Sequence, residues 1–245
     1  MKWKKIGDIL VLDKNTNKLS SYELKNLANT HNVKTILKVD HIYGSKREPT
    51  IEILHGKETE TIHKENGCLF KLDLAKIMWS KGNNNERLRI AKLVNDNETV
   101  IDMFAGIGYF SIPIAFYKNP KCVYAIEINS NSYYFLKENI KLNKITSIKP
   151  ILGNCKDITP KYSADRIIMG YVKTTHHYLN VAINSLNYGG TLHYHETVPE
   201  KLMYTRPINR IKEIAGNREV ELININKIKK YSPGVMHIVV DAKIY

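Results

Sequence analysis

The apolar run Val100-Ile-Asp102 leads into Met-Phe-Ala-Gly106-Ile-Gly108 and then into helix-compatible sequence. Glycines at this spacing let a strand turn sharply into a helix, bring backbone close to a ligand and leave the helix N-terminus facing it. The next apolar run, Tyr124-Ala-Ile-Glu127, ends on a carboxylate placed to accept both hydroxyls of a ribose. A third loop, Leu152-Gly-Asn-Cys-Lys-Asp157, closes the following run. Here Asn154 can bond an adenine edge through its amide and Cys155 through its backbone. Asp157 competes for that role and reads more readily as a helix N-cap or turn residue. Asp102 either meets the ligand's amino group or orders the glycine turn by accepting backbone N–H bonds. The third glycine of a dinucleotide fingerprint is Ser111 here, and no second nucleotide half follows. The pattern therefore favours S-adenosylmethionine over NAD.

These residues need a scaffold that collects strand ends on one edge, and the sequence supplies one. From Thr99 onward β-like and helical runs alternate: strands at 99–104, 123–128, 148–152, 166–171 and 191–195, with helices at 109–117, 132–142 and 175–186 between them. Such alternation predicts a mostly parallel sheet covered by helices on both faces. A helix at 208–215 and two further β-runs at 219–225 and 235–244, joined through Tyr231-Ser-Pro-Gly234, predict an antiparallel hairpin closing a seven-stranded sheet. Before this, β-like runs at 6–12, 35–39 and 50–54 with one helical stretch at 22–28 read as a small α+β domain. The polar segment Trp79-Ser-Lys-Gly-Asn-Asn-Asn-Glu86 reads as a hinge, dividing the chain into 1–80 and 81–245.

Among the 245 residues Lys and Arg exceed Asp and Glu by 13, which points to a polyanionic partner, most simply a nucleic acid. The basic residues, among them Lys34, Lys38, Arg87, Arg206 and Arg210, are scattered in the manner of a docking surface rather than gathered into a tail. No apolar run has the length of a membrane span, and the start lacks a signal-peptide pattern, so a cytoplasmic protein with no membrane association is expected. Cys68, Cys122 and Cys155 are odd in number and far apart, which predicts buried thiols rather than disulfides. His176-His177 and His193-Tyr-His195 lack further ligands at metal spacing, so no metal is expected; His193 and His195 more simply share one face of a strand.

In combination, Ile6-Gly-Asp-Ile-Leu-Val-Leu12, Phe70-Lys-Leu-Asp-Leu-Ala-Lys-Ile-Met-Trp-Ser80, Asn85-Glu-Arg87, Asp102-Met-Phe-Ala-Gly-Ile-Gly108 and Ala125-Ile-Glu-Ile-Asn129 resemble the archaeal and eukaryotic enzymes that modify the guanosine 3′ of the tRNA anticodon. That family includes the tRNA guanine-N1 methyltransferases and the aminocarboxypropyltransferases of wyosine synthesis. The resemblance implies a class I methyltransferase-like (Rossmann-like) domain preceded by a small domain that helps hold tRNA. It also implies S-adenosylmethionine contacts from Ser80, Arg87, Glu127 and the Asn154-Cys155 loop, with Arg87 a fitting partner for the methionine carboxylate. The chain begins close to Ile6-Gly-Asp, so the further N-terminal domain with which many relatives grip the tRNA elbow is expected to be missing, and a monomer is expected.

Where many base-alkylating enzymes carry an Asn/Asp-Pro-Pro-Tyr-like tetrad, this chain has Met169-Gly-Tyr-Val172, whose Met and Val side chains cannot hydrogen-bond a purine edge. Methylation of guanine N1 is thereby disfavoured. Gly170 is expected to open space for a wider, tricyclic base and Tyr171 to stack on it. The resemblance then implies transfer of the 3-amino-3-carboxypropyl group from S-adenosylmethionine to C7 of a demethylwyosine-type base in tRNA(Phe), with no side chain assigned as general base. The alternatives are a tRNA guanine-N1 methyltransferase and a non-catalytic tRNA-binding module.

Overall fold

The structure, a computed structural model, describes residues 2–44, 47–79, 81–172 and 174–245, with Lys81 described by its backbone alone. The chain divides into two compact units, one comprising 1–80 with 141–143 and the other 81–140 with 144–245. Among the described residues no helix is long and apolar enough to cross a membrane.

In the first unit, β1 (Trp3–Ile6) and β2 (Ile9–Leu12) form an antiparallel hairpin, not the single run expected over 6–12. The reason is Gly7, at φ +56 and so close to Thr61 that a Cβ would lie 2.0 Å from its hydroxyl. Helix α1 (Ser21–His31) starts at a capping box, Ser20 with Glu23, and stops at Asn32 in the left-handed region. It crosses over to β3 (Thr35–Tyr43), which runs parallel to β2, and β4 (Glu48–His55) pairs antiparallel with β3. Leu10, Leu12, Leu24, Ala28 and Ile36 are the buried core between helix and sheet. A separate hairpin of β5 (Glu60–Glu65) and β6 (Cys68–Asp73) was not marked by the run of apolar residues. Its signal is Asn66-Gly67, both at positive φ, the turn chemistry of a two-residue hairpin.

The second unit begins with a short 3-10 turn and α2 (Asn84–Leu93), and continues as β7 (Thr99–Asp102), α3 (Ser111–Tyr117), β8 (Cys122–Glu127), α4 (Ser130–Leu142), β9 (Ile148–Leu152) and α5 (Cys155–Ile158). Then come β10 (Ala164–Met169), α6 (Leu179–Asn184), β11 (Leu186–Pro199), α7 (Arg206–Ala215), β12 (Val220–Ser232) and β13 (Val235–Ile244). The seven strands are ordered β12-β13-β11-β10-β7-β8-β9; all neighbours from β11 to β9 are parallel, and β13 lies antiparallel between β11 and β12. This is the expected α/β fold with its closing hairpin, the later strand of which inserts beside β11. The helix expected over 175–186 is a 3-10 turn at Thr175–Tyr178 followed by the short α6, and β11 starts earlier than expected, at Leu186.

Period-2 alternation sorts the strand residues onto two faces. Ile101, Ile167, Met169, Leu192, Tyr194, Ile238 and Val240 form one apolar cluster with Leu179, Ala182 and Ile183 of α6 and Ile211 of α7. The alternate positions carry polar groups: Asp102 bonds Ser111 of α3, Arg166 and Asp241 bond Leu93 and Arg89 of α2, and His193 links Arg166 to Asp241. Strand order reverses between β7 and β10, and in such folds ligands collect outside the carboxyl ends of the strands at that point.

Candidate active site

β7 ends at Asp102 and the chain reaches α3 through a turn that needs glycine twice. Gly108 is at φ +98, where a Cβ would come within 2.5 Å of Ile112 Cγ1, and Gly106 is at φ +58, where one would come within 2.5 Å of the Tyr109 ring. The Gly106 N–H donates to Glu127 Oε2 at 2.8 Å and the Asn129 N–H to Oε1 at 2.7 Å. A carboxylate has about four acceptor sites, so these two bonds leave the Glu127 carboxylate with acceptor capacity to spare. Burial pushes the Glu127 carboxyl up from its ordinary value, partly offset by those backbone N–H groups. The Gly153 N–H bonds the Glu127 carbonyl at 2.9 Å, which ties the end of β9 to the end of β8.

Asp102 is fully buried and accepts from the Ser111 hydroxyl at 2.7 Å and the Phe104 N–H at 3.4 Å. These are the bonds of a residue that orders the glycine turn. Burial pushes its carboxyl up to about 6. Arg87, only 2% exposed, lies on α2 with its guanidinium 4.6 Å from the centroid of the Tyr109 ring. Arg87, Tyr109, Gly106 and Glu127 therefore form a continuous line of contacts.

Asn154 caps α5, its side-chain oxygen accepting the Lys156 N–H at 3.0 Å, which leaves its amide N–H groups to donate. The cap is thus Asn154, and Asp157, read from sequence as an N-cap or turn residue, sits inside the first turn. Cys155 is buried and its thiol is pushed up to about 12, so its backbone, not a thiolate, is the group it can offer. Ser80 lies outside the described residues.

At the end of β10, Met169 is buried in the apolar cluster and Tyr171 stacks on Phe104, ring centroids 5.2 Å apart at 24°. Tyr178 meets Phe104 edge-on at 5.1 Å, and Lys156 Nζ is 5.0 Å from the Tyr178 ring centroid. The space expected beside Gly170 is filled: a Cβ there would lie 2.7 Å from Phe110 Cε2. Glycine at 170 admits Phe110 rather than leaving an opening for a base. Phe104, Phe110 and Tyr178 were missed in the sequence, although Phe104 stands inside the glycine motif itself. Among the described residues no three His, Cys, Asp or Glu side chains gather as metal ligands. His193 bonds Arg166 and Asp241, and His195 faces His237 at 3.1 Å.

Residues 61–223 match the TRM5/TYW2 methyltransferase domain. The chain belongs to the TRM5/TYW2 methyltransferase family. A Methanocaldococcus jannaschii protein named tRNA(Phe) (4-demethylwyosine(37)-C(7)) aminocarboxypropyltransferase is 53% identical over 99% of this chain and 98% of its own length. The solved structure of M. jannaschii TYW2 in complex with AdoMet superposes with a TM-score of 0.81, at 48% identity over 99% of both chains. A Pyrococcus abyssi tRNA (guanine(37)-N(1))-methyltransferase Trm5b is 41% identical over 87% of this chain, which spans 64% of that relative. The TRM5/TYW2 match includes α2, the glycine turn, Glu127, the Asn154 cap and the aromatic contacts at the end of β10.

Proposed function

We propose that the chain transfers the 3-amino-3-carboxypropyl group of S-adenosylmethionine to C7 of the 4-demethylwyosine base on the 3′ side of the anticodon in tRNA(Phe), releasing 5′-methylthioadenosine. The observation that carries this reading is the surround of the β10 end: a buried Met169, then Tyr171 and Tyr178, each in ring contact with Phe104, beside the glycine turn. An aromatic surface holds a flat base by stacking and asks little of hydrogen-bonding side chains. The near full-length likeness to the M. jannaschii aminocarboxypropyltransferase supports the same choice.

When bound, S-adenosylmethionine supplies a sulfonium with three electrophilic carbons, of which the one aimed at the nucleophile is transferred. The residues present fit it: the Glu127 carboxylate has acceptor capacity beyond its bonds from Gly106 and Asn129, and a glycine without Cβ lies beside it. Glu127 holds the ribose, the Asn154 amide and the Cys155 N–H meet the adenine edge, and Arg87 grips the methionine carboxylate with two parallel bonds. Asp102 keeps the turn in shape from beneath, and Ser80 joins the site by the family's pattern. Orientation is the main contribution, since a carbon held in line with C7 needs no strong catalyst. Tyr171 stacks on the acceptor base, and the proton of C7 leaves once the new carbon–carbon bond has formed, without an assigned base. Residues 1–80 act as a small tRNA-contacting domain and 81–245 as the catalytic domain, with the excess of 13 positive charges drawing in the tRNA backbone.

Incubation with S-adenosylmethionine and tRNA(Phe), unmodified or carrying 4-demethylwyosine, tests the reading through the small product. 5′-Methylthioadenosine formed only with the modified tRNA is expected. S-adenosylhomocysteine with unmodified tRNA would mark a guanine-N1 methyltransferase, and no turnover on either would mark a binding module.

A further inference from the structure

On the sheet face under α2 and α3 a run of hydrogen-bonded polar side chains crosses four strands. Arg89 donates to Glu86 through Nε at 2.8 Å and Nη2 at 2.6 Å, and to Asp241 through Nη1 at 2.6 Å and Nη2 at 3.1 Å. Asp241 Oδ1 lies 2.6 Å from His193 Nδ1, and His193 Nε2 lies 2.7 Å from Arg166 Nη1. Arginine can only donate, so Nε2 is the bare nitrogen and Nδ1 carries the proton to Asp241. Arg166 in turn holds Glu98 through two bonds and the Leu93 carbonyl at 3.0 Å, while Asn226 donates to Glu86 at 2.6 Å. Glu86, Asp241 and His193 are each at most 2% exposed.

The run thus grips α2 at both ends, at Glu86 near its start and at Leu93 at its close, from β10, β12 and β13, with His193 of β11 linking Arg166 to Asp241. For stability alone, buried ion pairs do no better than apolar side chains of the same volume. What directional bonds add is a single register: a helix on an apolar bed can slide, whereas one held by two-pronged arginine contacts cannot. The residue so held is Arg87, adjacent to Glu86 and seated over Tyr109 at the glycine turn.

We propose that Glu86, Arg89, Asp241 and His193 are positioning residues that set where Arg87 stands over Tyr109, and so how the methionine end of the nucleotide lies. This rests on Arg87 taking the methionine carboxylate. A small displacement of that grip re-aims the sulfonium carbons, so the network helps decide which group is transferred.

The test compares S-adenosylmethionine with 5′-methylthioadenosine, which has the same adenosine but no carboxylate, as ligands of the full chain by titration calorimetry. In Asp241→Asn and in Arg89→Lys, S-adenosylmethionine is expected to bind about tenfold more weakly while 5′-methylthioadenosine changes by less than about twofold. Equal weakening of both ligands, or no change in either, overturns the proposal. Arg87→Gln run alongside separates the two levels. If it leaves S-adenosylmethionine binding unchanged, the carboxylate assignment itself fails; if it weakens binding and the network variants do not, only the positioning role fails. Should Asp241→Asn lose its fold, as judged by circular dichroism, Arg89→Lys decides, because it keeps the charge in a quarter-exposed side chain.

Discussion

Glu127 accepts the backbone N–H of Gly106 on one oxygen and of Asn129 on the other and is the residue proposed to take the ribose, which makes it the point of the binding scheme most open to a single substitution. Glu127→Ala removes two charge-assisted bonds to the ribose, and the S-adenosylmethionine dissociation constant is expected to rise about a hundredfold, measured by calorimetry; an unchanged constant would remove the ribose assignment. Asp102 carries a different signature. Its folded carboxyl titrates near 6, above the ordinary 3.8, so between those values the native state binds more protons than the unfolded chain. Its contribution to stability is therefore lost as pH rises from about 3.8 to about 6 and is level above that. Asp102→Asn lacks this slope, and denaturant melts should show it gaining on the parent by roughly 3 kcal/mol at most across that window; parallel pH profiles would show that Asp102 is not held protonated by burial. The glycine turn at Gly106 and Gly108 and the strand-end carboxylate that it bonds, Glu127, were legible because strand, paired glycines and acid follow one another at a regular spacing. Gly170 was misjudged because what fills the place of a missing side chain comes from Phe110, sixty residues earlier in the chain and invisible to local pattern.

Elements show the same division. Strands of the parallel sheet carry short apolar stretches bounded by polar residues and turns, so β7, β8, β9 and β10 fell close to their expected limits. The β5–β6 hairpin did not, because its strands mix Glu, His and Lys with the apolar residues, and only Asn66-Gly67 betrays it. Gly67 sits at φ +75, where any side chain is strained, so Gly67→Ala is expected to cost about 1 kcal/mol of the stability of this hairpin's unit, read as a lowered thermal midpoint. No change would mean that the turn tolerates an L-residue and does not specify the hairpin. The long helix expected over 175–186 failed for a complementary reason: Tyr178 is drawn edge-on against Phe104, and the chain spends its first turn as a 3-10 helix to bring it there.

The whole molecule belongs to a family that also holds a tRNA guanine-N1 methyltransferase, the P. abyssi relative. The direction in which the methionine chain is held is proposed to separate the outcomes, through Arg87 and the helix that carries it. The label that reaches tRNA reports that direction. With S-adenosylmethionine labelled in the carboxyl carbon or in the methyl group, and tRNA(Phe) carrying 4-demethylwyosine, the carboxyl label is predicted to enter the tRNA while the methyl label stays in 5′-methylthioadenosine. Methyl label on the tRNA, with the carboxyl label left in the small product, would contradict the account.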